Sequence, residues 1–257
     1  MTATASGQRS NGHGPDDQRH RVDPNQRHGW RAWLGGFFSS DIGMKWMMAL
    51  TGIGLLVYVL AHMVGNLKVF ISAEEIDLYG EALRDLGGHL VPRTSILWLL
   101  RIGLIVTFAI HIWTAAVLTK RNIDARGKIR YHNKRQWLAA NYASRTMRWT
   151  GVIVLLFLAY HLADLTWGLA NPDFVRGEVH RNLVASFERL PVAALYLIAQ
   201  VALAFHIYHG AWSLFQSIGI ANERFNDWRR AFAIVFALVI LIGNSSIVLA
   251  VQFGIIS

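Results

Sequence analysis

Four histidines lie inside long apolar stretches of the sequence, where an ionisable side chain is costly and usually functional. They are His62, His111, His161 and His206, and each falls in a different stretch. A neutral imidazole is a ligand of haem iron, and two imidazoles on opposing helices can hold one haem between them. A single buried histidine is as often a hydrogen-bonded interior side chain, but four on four stretches favour cofactor binding.

The stretches that carry these histidines are long enough to be membrane-spanning helices, which need about 20 apolar residues to cross the hydrocarbon core. Hydrophobic residues make up 53% of the chain and charged residues only 16%, which is unusual for a soluble domain. The sequence therefore predicts an all-α integral membrane protein, a five-transmembrane-helix bundle with one histidine in each of the first four helices. The predicted spans are residues 44–70, 95–118, 149–169, 191–217 and 231–256.

The distribution of charge predicts how this bundle lies in the membrane. Residues 120–148, here called the basic segment, hold nine lysines and arginines against one acid, whereas residues 71–94 hold five acids and two arginines. Because basic residues gather on the cytoplasmic side, the basic segment is predicted to be inside, with the N-terminus cytoplasmic and the C-terminus outside. The net charge of +9 is thus a topology signal and not a sign of nucleic-acid binding. Docking of a cytoplasmic partner or of anionic membrane lipid is a second use for it.

Helix geometry then places the histidines at two depths. At about 1.5 Å per residue, His62 and His161 lie roughly 20–25 Å from the cytoplasmic edge, while His111 and His206 lie roughly 13–15 Å from it. Structural histidines without a common role have no reason to pair by depth. The spacing therefore predicts two stacked haems b, an outer one held by His62 and His161 and an inner one held by His111 and His206.

The remaining parts of the chain predict little chemistry of their own. Residues 1–28 are polar, lack the apolar core of a signal peptide and are predicted to be a disordered cytoplasmic tail. Residues 29–43 mix aromatic side chains with Arg31 and are predicted to be an interfacial segment along the membrane surface. Residues 44–257 form the predicted cytochrome domain. Cysteine is absent, so the chain cannot itself hold an iron–sulfur cluster.

Four further side chains are candidates for secondary roles. Arg101 in the second span needs an anionic partner, and a haem propionate and Asp164 both qualify. Asp164 comes one turn after His161 and could also influence that histidine without binding the metal itself. His209 could contact a haem propionate or a quinone, or bond a backbone carbonyl. Trp212 could flank a quinone, although the interfacial belt of tryptophans would place it there regardless of function.

The segments around the four histidines resemble the single-subunit, dihaem cytochrome b of succinate:quinone oxidoreductases, the succinate dehydrogenase and fumarate reductase complexes. The HxxxGxW spacing from His206 to Trp212 is the most distinctive of the shared features. The resemblance covers about residues 30–257. The segments are VYVLAHMVGN, FAIHIW, FLAYHLADLTW and ALAFHIYHGAWSLF.

The resemblance implies a membrane-anchor subunit of succinate dehydrogenase in the inner membrane of a bacterium. Its partners would be a flavoprotein with covalent FAD and an iron–sulfur protein on the cytoplasmic face, and the complex could form a homo-oligomer. Electrons would pass from the clusters through the inner (proximal) haem and the outer (distal) haem to a quinone, implied to be menaquinone. Some dihaem fumarate reductases carry a proton-transferring glutamate where this chain has Ala204, so succinate oxidation is the expected direction.

Two other functions are consistent with parts of the sequence. Haem b subunits of hydrogenases or formate dehydrogenases also use membrane histidines, but one histidine on each of four helices fits them less well. A transporter whose histidines relay protons would bind no haem. It would also be expected to have more intramembrane acids than the lone Asp164, and helix pairs interrupted by glycine or proline.

Overall fold

The computed structural model describes residues 29–126, 134–220 and 222–257, and within them it leaves the side chains of Arg31, of residues 126–145 and of Glu223 undescribed. The predicted tail, residues 1–28, and the middle of the basic segment therefore lie outside the described residues. The described part is helical, with a 3-10 turn at Leu67–Phe70 and no strand. Its α-helices are α1 (Trp30–Ser39), α2 (Asp41–Asn66), α3 (Ala73–Arg84), α4 (Ser95–Arg126), α5 (Lys134–Leu165), α6 (Val179–Phe187), α7 (Leu190–Ser217) and α8 (Glu223–Gln252).

Five of these helices, α2, α4, α5, α7 and α8, are long and apolar enough to cross a membrane. The prediction of an all-helical fold with five candidate spans is thereby confirmed for the described residues. The boundary of α8 also differs, since this helix begins at Glu223 and not at residue 231. The side chain of Asn222 accepts a hydrogen bond from the Phe225 N–H (3.1 Å) and caps the helix there. Hydropathy marks the first apolar residue of a span, whereas the helix begins at its cap.

Helix α7 is central to the bundle and packs against α2, α5 and α8, while α2 also packs against α4. The interior between α2, α7 and α8 is a buried cluster in which small side chains let the helix axes approach closely. Helices α2, α4, α5 and α7 carry the four histidines, so this packing decides which imidazoles meet. The cluster consists of Met63, Ala204, Ile207, Ala237 and Ile240.

Two short helices that the sequence did not predict, α3 and α6, pack together beyond the outer ends of the spans. The Ser72 hydroxyl caps α3 by accepting from the Glu75 N–H (3.1 Å), and Asp77 accepts from the His180 N–H (2.9 Å). Their apolar sides, including Ile76 and Phe187, join the buried cluster at the outer end of the bundle. His180 lies in the first turn of α6.

The segment predicted to lie along the membrane surface forms α1, which ends where Ser40 turns the chain into α2. Gly43 permits this turn, because a Cβ there would lie 1.9 Å from the carbonyl oxygen of Phe37. Arg121 near the C-terminal end of α4 donates to Asp41 Oδ1 (2.7 Å) and to the Ser39 carbonyl (2.9 Å). The α1–α2 junction is thus tied to the end of the second span.

Candidate functional site

The outer pair of histidines meets across α2 and α5. The ring centres of His62 and His161 are 5.9 Å apart, and the ring planes are at 88° to each other. Each histidine lies about one turn before the last residue of its helix. Tyr58, one turn before His62, stacks on that imidazole with ring centres 5.5 Å apart and so helps to hold it in place.

The inner pair meets between α4 and α7. The ring centres of His111 and His206 are 6.5 Å apart, with the ring planes at 71°. A glycine on a neighbouring helix faces each ring: a Cβ at Gly52 would lie 3.8 Å from Cε1 of His111, and one at Gly151 would lie 3.3 Å from Cε1 of His206. The absence of these two side chains leaves the imidazoles room.

The positions of these glycines show how far apart in depth the two pairs lie. Gly52 lies level with the inner pair on α2, and His62 follows it by ten residues on the same helix. Gly151 lies level with the inner pair on α5, and His161 follows it by ten residues as well. Ten helical residues rise about 15 Å, so both helices give the same distance in depth between the pairs.

The geometry of both pairs fits a bis-histidine metal centre. An imidazole nitrogen bonds a transition metal at about 2 Å, with the ring centre about 1 Å further back, so two rings on opposite sides of one metal have centres about 6 Å apart. The distances of 5.9 and 6.5 Å agree with this value. Among the described residues there is no cluster of three or more histidine, cysteine or acidic side chains that could hold a metal in another way.

Hydroxyl groups on neighbouring helices orient the two inner imidazoles. Thr51 Oγ1 lies 3.2 Å from Nδ1 of His111, and Thr150 Oγ1 lies 3.5 Å from Nδ1 of His206. Each threonine donates its own proton to a carbonyl of its helix, that of Met47 (2.7 Å) or of Thr146 (2.8 Å). The hydroxyl oxygens must then accept from Nδ1–H, which leaves the Nε2 lone pair free to bind iron.

His161 of the outer pair is oriented by a phenol. The hydroxyl oxygen of Tyr196 lies 3.4 Å from Nδ1 of His161, and its proton is donated to Asp164 Oδ2 (2.9 Å). By the same reasoning His161 donates from Nδ1–H and keeps Nε2 for a metal. Among the described residues His62 has ring contacts and no hydrogen bond, so its tautomer is not fixed in this way.

Asp164 is fully buried, and its ion-pair partner is Arg189 and not Arg101. Arg189 Nη2 donates to Oδ1 (2.7 Å), and the Ser186 hydroxyl donates to Oδ2 (2.5 Å). Arg101 instead lies over the ring of Trp98, with Cζ 5.1 Å from the ring centre. It has no carboxylate partner in the part of the chain that the structure describes, so Asp164 is not the partner of Arg101.

His209 and Trp212 lie one turn apart towards the C-terminal end of α7. Nε2 of His209 is 3.3 Å from the Thr146 hydroxyl on α5. The indole N–H of Trp212 is buried and has no hydrogen-bond partner in the described part of the chain. The ring of Trp212 packs on Tyr208, with ring centres 6.2 Å apart. The two side chains are therefore neighbours, and one of them has an unused donor.

The sequence missed the residues that orient the histidines: Thr51, Thr150 and Tyr196. Each lies on a helix next to the one that carries its histidine, and the rotation of a helix about its axis is not visible in hydropathy. Arg189 could have been found, because it is the last cation before the fourth span and Asp164 needs one. A second buried cation, Arg229, donates to the Ile220 carbonyl (3.1 Å) and to Asn226 (2.5 Å), and its Nε is unpartnered in the described part of the chain.

Comparison with known protein families supports the resemblance seen in the sequence. The model of the succinate dehydrogenase/fumarate reductase transmembrane subunit matches residues 125–244, a little under half of the chain. The matched residues contain His161 and His206, whereas His62 and His111 precede them. No curated protein and no solved structure is detectably similar to the chain. The predicted resemblance to the anchor subunit of these complexes is confirmed by the family match.

Proposed function

We propose that this chain is a transmembrane subunit of the succinate dehydrogenase/fumarate reductase type, namely the dihaem cytochrome b anchor of a succinate:quinone oxidoreductase. His62 and His161 ligate the distal haem b, and His111 and His206 ligate the proximal one. The observation that carries the proposal is the presence of two imidazole pairs, each with ring centres about 6 Å apart, at two depths in the bundle. When bound, the haems supply one-electron redox centres at those depths.

The contribution of the chain itself is to hold the ligands still and keep water away. The hydroxyls of Thr51, Thr150 and Tyr196 hold three imidazoles at Nδ1 and leave their Nε2 atoms available for iron. The packed outer helices α3 and α6 cover the end of the bundle near the outer pair. Arg101, on the outer half of α4 and without a carboxylate partner among the described residues, is proposed to bind a propionate of the distal haem.

A quinone, proposed to be menaquinone, binds at the cytoplasmic end of α7 near His209 and Trp212. The indole N–H of Trp212 is a buried donor without a partner among the described residues, and a quinone carbonyl is an acceptor of matching chemistry. His209 already faces Thr146 and would contact the ring from the side.

The soluble partners are proposed to be a flavoprotein with FAD and an iron–sulfur protein, bound at the cytoplasmic face. The chain has no cysteine, so the clusters that deliver electrons belong to a partner. The basic segment, 120–148, carries nine cations against one acid and is the proposed docking surface. The complex lies in a bacterial inner membrane, with the N-terminus cytoplasmic.

A reduced-minus-oxidised absorbance spectrum of the purified complex tests the haem assignment. Two bis-histidine haems are expected per chain, and His111→Ala or His206→Ala should each remove one while leaving the other. His161→Ala should remove the other haem. His209→Ala is the matched control, since it deletes a neighbouring imidazole that faces Thr146, and it should retain both haems. Two haems in His206→Ala would show that the pairing is wrong.

The same preparation separates the rival functions. Co-purification with a flavoprotein that oxidises succinate supports the proposal, whereas co-purification with a hydrogenase or formate dehydrogenase subunit contradicts it. A histidine-relay transporter would be colourless even when haem synthesis is sufficient. That outcome would remove the proposed function altogether.

A further inference from the structure

The two histidine pairs differ in what holds their Nδ1 atoms. At the inner pair the threonine hydroxyls are neutral, and they donate to backbone carbonyls of their own helices. At the outer pair the Tyr196 phenol donates a hydrogen bond to the buried carboxylate of Asp164. We propose that Tyr196 and Asp164 are positioning residues that lower the reduction potential of the distal haem through His161. This inference rests on the proposed function.

The hydrogen bonds form one continuous chain from the ligand to the outer surface. His161 Nδ1 lies 3.4 Å from the Tyr196 oxygen, and the Tyr196 O–H donates to Asp164 Oδ2 at 2.9 Å. Arg189 pairs with Asp164 Oδ1 and also donates to the Ala170 carbonyl (2.8 Å). The Asp164 side chain is fully buried and that of Arg189 is 30% exposed. This series of hydrogen bonds therefore begins in the membrane interior and ends near the outer water.

The direction of these hydrogen bonds determines the sign of the effect. A phenol that donates to a carboxylate has a more electron-rich oxygen, which accepts more strongly from Nδ1–H of the imidazole. An imidazole whose N–H is accepted in this way is a more basic metal ligand. A more basic ligand favours the more highly charged, oxidised iron. The Tyr196–Asp164 pair therefore lowers the potential of the haem that His161 holds.

The effect is confined to one of the two haems. In the described part of the chain, His111 has a neutral threonine hydroxyl at Nδ1, and His206 has a neutral threonine hydroxyl and a hydrogen bond to the backbone of Met147. In the part of the chain that the structure describes, His62 stacks on Tyr58 and has no hydrogen-bond partner at its ring nitrogens. The buried carboxylate thus acts on the distal site through His161, and the structure makes the two sites electronically different.

The test is a redox titration of haem absorbance in the complete complex purified from membranes. Tyr196→Phe removes the hydroxyl and keeps the ring, which packs edge-on against Phe157 and Phe187. The midpoint potential of the haem that is missing in His161→Ala should shift upwards, and the other should stay unchanged. Tyr160→Phe is the matched control. It deletes a phenol whose ring centre is 6.2 Å from that of Tyr196 but which has no hydrogen bond to His161 or Asp164, so no shift is expected.

A second variant moves the potential in the opposite direction. Ser186→Ala removes one of the two hydrogen bonds on Asp164 Oδ2, which leaves this oxygen a stronger acceptor for Tyr196. The same potential should then shift downwards. A cluster that only braced the helices would not give shifts of opposite sign. If Tyr196→Phe fails to retain the distal haem, the potential of that haem in Ser186→Ala tests the proposal. A downward shift supports it, and an unchanged or higher potential overturns it.

The inference and the proposed function fail in different ways. Unchanged potentials in Tyr196→Phe or Ser186→Ala, with two haems bound, would overturn the role of Tyr196 and Asp164 and leave the haem assignment intact. A wild-type complex without haem would remove the proposed function itself.

Discussion

At the scale of single residues, the site depends on hydroxyl groups that face histidines from a neighbouring helix. A threonine in the middle of a helix usually donates its proton to the carbonyl one turn earlier, and Thr51 and Thr150 both do so. Because the hydroxyl proton is used in this bond, the hydroxyl oxygen can act only as an acceptor towards a neighbouring helix, and its direction is fixed. The two threonines therefore hold His111 and His206 with Nδ1 protonated, which is the form that can ligate iron through Nε2.

Removing the inner hydroxyls should weaken retention of the proximal haem. Loss of a group that orients a metal ligand typically costs 10- to 100-fold in metal affinity, and Thr51→Val and Thr150→Val are expected to fall in about this range. Transfer of haem to an apo-globin acceptor measures the effect. Thr107→Val is the control, because Thr107 bonds the Gly103 carbonyl in the same way and contacts no histidine. Equal haem loss from all three variants would contradict the orienting role.

At the scale of helices, the chain enters the first span through a close contact between α1 and α2. The side chain of Ser40 caps α2 by accepting from the Gly43 N–H (3.1 Å), and Gly43 itself touches the last turn of α1. Overpacked contacts cost about 1–3 kcal/mol, and here the obstacle is a backbone carbonyl that has no rotamer to change. The position of α1 on the bundle thus depends on one missing Cβ.

Gly43→Ala should detach α1 from the start of α2. Hydrogen–deuterium exchange of the peptide that contains Trp30–Ser39 should become faster, while exchange in α4 and α7 stays the same. Gly35→Ala is the matched control, since a Cβ there meets nothing within 4 Å. That substitution should leave exchange unchanged or slow it, because alanine favours a helix by about 1 kcal/mol over glycine. Slower exchange in Gly43→Ala would contradict the contact.

At the scale of the whole molecule, the orientation predicted from charge assigns each end of the bundle to one side of the membrane. The acids of α3 and of the turn after it lie at the same end as the outer histidine pair, and the described parts of the basic segment, residues 120–126 and 134–148, lie at the other end. The outer end is also bound together by charge pairs: Arg93 bonds both Glu81 and Asp85, and Arg84 bonds Glu81. These exposed pairs contribute little stability, and their value here is as markers of the outer face.

The absence of cysteine makes this orientation directly measurable. Because the chain has no cysteine, a membrane-impermeant maleimide can label this protein only at a thiol that has been introduced. Leu90→Cys, at a side chain that is 92% exposed, and Ser257→Cys should react in intact cells whose outer membrane has been opened. Asn122→Cys, exposed at the end of α4, should react only after the inner membrane is broken. The reverse pattern would place the basic segment outside.

Hydropathy and spacing in the sequence were sufficient for the parts of this protein that depend on one helix at a time. Each span must be apolar along its own length, and each carries or lacks a histidine at a depth set by helical rise, so five spans and two histidine layers follow from counting. The start of α8 was misplaced because Asn222, and not the first apolar residue, begins that helix.

The contacts between helices were decided only in the tertiary structure. Which hydroxyl faces which imidazole, and that Asp164 pairs with Arg189 and not with Arg101, depend on the rotation and packing of the helices. The packing of α3 on α6 depends on the same long-range contacts. A side chain at a given depth can point towards lipid or towards any neighbouring helix, and no local pattern of apolar residues distinguishes these directions.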